Sequence, residues 1–163
     1  MEKKVCLIFI DKSCLELQRS KINFIEGFIH CMDGEKDPRN LMVAFALVRA
    51  IIDKFDISRH VEDLFDIIFC YFPIHFIAPT NTDTLEITTE DLKRSLRQCL
   101  AATPYFAYYS TPLLTEKLLT TTGSAKRDTM ETISLCAPAY GAHAILPHTL
   151  DLFDALTKEV KLG

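Results

Sequence analysis

The side chains that could do chemistry in this 163-residue sequence are few and scattered. Six cysteines stand at positions 6, 14, 31, 70, 99 and 136, and no two lie at the CxxC spacing that a zinc or redox site uses. His30 and Cys31 are adjacent, so on a helix they point about 100° apart and cannot share a tetrahedral site. His143 and His148 are five residues apart, off the i, i+4 spacing that sets two imidazoles on one helix face. His75 is isolated. No GxSxG, HExxH, GxGxxG or GxxxxGK[ST] string occurs. The acid pairs Glu62/Asp63 and Glu90/Asp91 fit first-turn partners of a helix dipole better than a general acid and base. The expectation is a protein that is not an enzyme and holds no metal or cofactor. The cysteine pattern fits reduced thiols inside the cell, with a disulfide framework as the lesser alternative.

Two charged surfaces remain. One is the connector Asp33-Gly34-Glu35-Lys36-Asp37, with Arg39 just beyond it. The other is the polar face Lys93, Arg94 and Arg97 of a predicted helix whose opposite face is apolar. For each, a solvated surface is the plain reading and a docking surface for a partner is the functional one. The net charge is −4 and the pI about 5.7. A chain that lives on phosphate backbones carries a basic excess, so direct nucleic-acid binding is not expected. A nucleic-acid module using Lys93, Arg94 and Arg97 stands as a weaker alternative. No run of about 18 apolar residues occurs, so no membrane role is expected. The N-terminal apolar run Val5 to Ile10 is too short for a secretory signal.

The elements that must carry these surfaces are helical almost throughout. Five glycines are too few for a turn-rich β fold. Phe24, Ile25, Phe28, Ile29 and Met32 form one apolar stripe. Asp37-Pro38 is a helix start, because the carboxylate accepts orphan N–H groups and Pro at the first helical position gives up no bond. From Leu41 to Phe55 only Arg49, Asp53 and Lys54 are polar. Such a helix must be covered on more than one side, and it is expected to be the most buried. Ser58 is the expected cap of the next helix, which carries Val61, Leu64, Phe65, Ile68 and Phe69. A long connector from Pro73 to Thr88 leads to a capping pair, Thr88 and Asp91, and then to the stripe Leu92, Leu96, Cys99, Leu100. Tyr105, Tyr108 and Tyr109 are expected to pack between repeats. Met130, Ile133 and Ala137 are expected to face one way on a helix broken by Pro138 and Gly141. The segments PLLTEKLL and PHTLDLFDAL, 35 residues apart, bracket this helix as a weak repeat. Helical hairpins with Pro-interrupted first helices read as HEAT-like. The fold class predicted is all-α, a short HEAT-like helical-hairpin solenoid.

The strings FIEGFIHCMDGEKDPRNLMVAFALVRAIIDKFDIS, VEDLFDIIFCYFPIHF, ITTEDLKRSLRQCLAATP and LLTEKLLTTTGSAKRDTMETISLCAPAYG resemble the N-terminal domain of the methyl-methanesulfonate-sensitivity adaptor family, from about Ile22 to Val160. The GEKDPRN and VEDLFDIIFCYFPI segments are the specific ones, since generic HEAT repeats share only apolar spacing. The resemblance implies a non-catalytic scaffold of nucleus and cytoplasm. It would work with the iron–sulfur assembly targeting components, with iron–sulfur client proteins of DNA repair and replication, and with TFIIH subunits. No cluster ligand is implied for the six cysteines. Residues 1–20 do not look like the family's helices, so the expected organisation is an atypical 1–20 segment and a 21–163 helical-repeat domain. An unrelated HEAT scaffold is the alternative. The apolar last helix, with Leu150, Leu152, Phe153, Leu156 and Val160, adds an expectation of self-association.

Overall fold

Of the 163 residues, the computed structural model describes 24–75 and 87–162. The described residues are all-α and HEAT-like, with no strand among them. They form two compact units divided between Cys99 and Leu100. The Val5–Ile10 run and most of the Pro73–Thr88 connector lie outside the described residues.

The first unit holds four helices among its described residues. Helix α1 is Phe24–Met32, with Ile25 and Met32 buried. The Tyr71 hydroxyl donates to the carbonyl of Met32 at 2.7 Å, a second partner beside the Glu35 N–H for this acceptor at the helix C-terminus. Helix α2 is Pro38–Lys54 and starts as its sequence predicts: Asp37 is the N-cap, accepts from the Arg39 N–H, and Pro38 opens the first turn. Residues 41 to 52 are all at least half covered, which is the multi-sided covering expected of so apolar a helix. It is not the most buried by share, however. It buries five of its seventeen residues, whereas the Ala107–Thr120 helix buries six of fourteen, three of them Ser or Thr.

Helix α3, Val61–Phe69, buries Leu64, Phe65, Ile67 and Ile68. Ser58 is not its cap. His60 takes that position with no side-chain bond, and the Ser58 N–H donates instead to the Asp56 carboxylate at 3.0 Å. The Asp56 carboxylate thus closes an Asx turn onto Ser58, two residues ahead of the N-cap. Helix α4, Thr89–Leu100, opens on the predicted reciprocal pair: Asp91 N–H to Thr88 Oγ1 and Thr88 N–H to Asp91 Oδ2, both 3.1 Å. Leu92, Leu96, Cys99 and Leu100 are all buried along one face.

In the second unit a 3-10 turn, Pro104–Phe106, leads into α5, Ala107–Thr120, which continues through Pro112. Helix α6, Gly123–Ile145, runs through Pro138 and bends at Gly141, whose φ of 77° is a left-handed conformation that suits glycine. A second 3-10 turn, Leu146–His148, precedes α7, Thr149–Leu162. Helix α5 packs against both α6 and α7. The α6 stripe is shifted from the predicted one. Met130 is exposed while Thr129, Thr132, Ile133, Cys136 and Tyr140 are buried. The buried threonines satisfy their hydroxyls on carbonyls one turn back, Thr129 on Ala125 at 2.9 Å and Thr132 on Asp128 at 2.7 Å. With its polar atom paired, Thr packs as a small β-branched residue.

Candidate functional site

The connector after α1 is a tight, self-bonded turn. Gly34 at φ 72° reverses the chain. One Glu35 carboxylate oxygen accepts from the backbone N–H of both Lys36 and Asp37 at 2.8 Å, and the other accepts from Asn40 Nδ2 at 2.9 Å. Asp37 accepts the Arg39 N–H at 2.8 Å and the guanidinium at 3.2 and 2.9 Å. The bond from Asp37 N–H, with those from Asn40 and Lys36, holds the Glu35 carboxyl below the usual carboxylate range. The Arg39 side chain, then its backbone N–H, does the same for Asp37. Glu35, Asp37 and Arg39 are therefore spent mainly on shaping the loop. Asp33, Gly34 and Lys36 are exposed on it.

The face of α4 is less open than its sequence suggests. The Arg97 side chain is 11% exposed and its guanidinium pairs with Glu90 at 3.1 Å. Arg94 lies 3.8 Å from Asp91, and Lys93 is half-buried. Arg94 remains the most solvated of the three. Much of the stripe's positive charge is thus balanced by acids of the same helix.

Among the described residues no three His, Cys, Asp or Glu side chains converge as metal ligands would. No helix among them is long and apolar enough to cross a membrane. His30, His75 and His143 are exposed; His148 packs its ring against Tyr108, centroids 6.2 Å apart. Tyr105 and Tyr108 are exposed, Tyr108 meeting the rings of Tyr109 and His148 edge-on. Three exposed apolar side chains, Leu146, Leu150 and Phe153, run along the last 3-10 turn and α7. Leu152 and Leu156 of the predicted apolar face are half-covered, and the side chain of Val160 lies outside the described residues.

Two surface features were invisible in the sequence. A groove of about 550 Å³ separates α1 from α3, and one of about 470 Å³ lies between α1 and α2. The first joins residues 26–33 to 63–70, and the second lies within the hairpin from Phe28 to Leu47; only the face-by-face spacing on each helix hints at them.

A family model described as "Dos2-interacting transcription regulator of RNA-Pol-II" matches residues 4–161, a span that takes in most of the segment set apart as atypical. A Homo sapiens protein, "MMS19 nucleotide excision repair protein homolog", is 43% identical over 146 residues, covering 89% of this chain and 14% of its own length. A "DNA repair/transcription protein" of Saccharomyces cerevisiae is 41% identical over 155 residues, 93% of this chain and 15% of its own length. The Dictyostelium discoideum relative is 36% identical over 157 residues, 96% of this chain and 14% of its own length. The chain thus spans about one seventh of these relatives.

Proposed function

Since the chain belongs to the MMS19 N-terminal family, we propose that it is a non-catalytic adaptor serving DNA repair and transcription. Identity above 40% along nearly the whole chain carries this reading. In its finer form the chain is a scaffold of the cytosolic iron–sulfur assembly targeting complex, acting in nucleus and cytoplasm. It supports cluster delivery to repair and replication proteins and supports TFIIH. Its tools are the Asp33–Asp37 loop with Arg39, whose backbone is fixed in advance by its own hydrogen bonds, and the Lys93/Arg94/Arg97 face of α4. A loop already held in one shape loses little entropy on docking.

Affinity purification of the tagged chain from cells, followed by identification of co-purifying proteins, tests the adaptor reading. Iron–sulfur targeting components or TFIIH subunits enriched over an unrelated helical-repeat control are expected; equal recovery on the control overturns it.

The exposed Leu146, Leu150 and Phe153 give the chain a capacity to self-associate. Light scattering over a dilution series is expected to give a mass that falls on dilution, and Leu150→Lys with Phe153→Lys to hold it at the monomer value. A wild-type monomer at all concentrations would contradict this.

A further inference from the structure

The groove between α1 and α3 is lined by two matching helical ridges. Helix α1 and the turn after it contribute Glu26, Ile29, His30 and Asp33; α3 and the residue after it contribute Asp63, Asp66, Ile67 and Cys70. Both sets sit at i, i+3, i+4 and i+7, so each is a single face, and α1 packs on α3 with those faces flanking the groove. Part-exposed Ile29 supplies most of the apolar floor, with only the edge of the largely buried Ile67 beside it, and four carboxylates rim it. We propose that this groove docks a basic amphipathic peptide segment of a partner protein, with an apolar side chain set between Ile29 and Ile67 and Lys or Arg reaching the rim.

Charge complementarity selects this occupant. Among the described residues, Asp33, Asp63 and Asp66 pair with no Lys or Arg, and His30 is the one basic side chain that lines the groove. Like charges around an apolar strip repel one another, and a cationic partner relieves that repulsion while covering the strip. The carboxylates do not converge on one point, since no three ligand side chains among the described residues could hold a metal ion. They are strung along two helices, which suits several cations on an extended partner better than one ion. Nucleic acid and anionic lipid carry the same sign as the rim. A helix laid in such a groove reads out through anchors spaced like the ridges themselves. Cys70 sits inside this field: burial first, then the carboxylates of Asp33 and Asp66, push its thiol up.

This goes beyond the adaptor reading and stands apart from it, because it rests on the groove and not on the family. The test uses the full chain and a labelled synthetic helical peptide with Leu on one face and Lys on its flanks, read by fluorescence anisotropy. Asp63→Lys with Asp66→Lys is expected to weaken binding by at least about tenfold, and Asp63→Asn with Asp66→Asn by an intermediate factor. Both pairs are exposed and should leave the helical spectrum unchanged. A peptide with Glu in place of Lys, and one with Ser in place of Leu, should each bind at least about tenfold more weakly. Saturating peptide should shield Cys70 from a bulky maleimide several-fold while leaving Cys31, exposed on the α1–α2 groove, within about twofold. Unchanged binding after charge reversal, equal binding of the Ser peptide, equal shielding of both cysteines, or no binding by the folded chain would each overturn the proposal.

Discussion

Replacing Phe45 by Ala is expected to destabilise the first unit by about 3–5 kcal/mol. Phe45 is fully buried on α2, in the stretch where no side chain is exposed. Its ring meets Tyr71 edge-on at 5.9 Å, and its carbonyl accepts the Cys99 thiol at 3.0 Å. Truncation removes most of an aromatic side chain from a fully buried, packed site. The cavity cannot close cheaply, so the cost includes the void as well as the lost transfer energy. Urea unfolding followed by a probe in the first unit should show a lower midpoint at unchanged slope. A loss below about 1 kcal/mol would mean that the site is not core.

The second large effect is chemical. Burial pushes the Cys99 thiol up to about 12 and the Cys136 thiol up to about 11. At pH 8 the thiolate fraction of Cys99 is then roughly a thousandfold below that of an ordinary thiol, whose pKa is about 8.5. Iodoacetamide should therefore modify exposed Cys31 quickly and Cys99 only through opening of the first unit. Cys99 and Cys31 reacting at equal rates in folded protein would refute the buried placement. The same shifts fix a pH dependence. Both folded-state values are raised, so the folded chain holds these protons more tightly than the unfolded chain does. Their contribution is intact below about 8.5 and is lost as pH rises through 11 to 12. Denaturation midpoints should fall through this alkaline window, and Cys99→Ala with Cys136→Ala should flatten the fall. A residual decline is expected from Tyr140, which burial also pushes up.

What the sequence makes legible here is local. The Asp37 and Thr88 caps are recovered because the partners lie within three residues, so the chemistry is visible in a short string. The apolar stripe of α4 follows from spacing alone, whereas on α1 only Ile25 and Met32 of the predicted stripe are buried and Phe24, Phe28 and Ile29 are part-covered. The α6 register is lost because a rule that counts only apolar residues cannot see Thr129 and Thr132, whose hydroxyls are silenced by the turn before them. Arg97 is likewise missed: its partner Glu90 is seven residues back, beyond the i, i+4 reach that a sequence reader checks. The α1–α3 groove is tertiary. Glu26, His30 and Asp33 look like an ordinary solvated face, and Ile29 like part of the apolar stripe, until Asp63, Asp66, Ile67 and Cys70 are set across from them. Family membership was readable because GEKDPRN and VEDLFDIIFCYFPI carry more than helical spacing.

The adaptor reading requires that the chain bind proteins and leave nucleic acid alone. The measurement that bears on it most directly is a parallel titration of the purified chain with purified iron–sulfur targeting proteins and with a short DNA duplex, each over a salt series. The predicted result is saturable protein binding that persists at about 150 mM salt, with DNA binding weak and without a steep salt slope. Saturable DNA binding whose affinity falls steeply with salt, together with no protein binding at any salt, would contradict it and return the Lys93/Arg94/Arg97 face to the nucleic-acid reading.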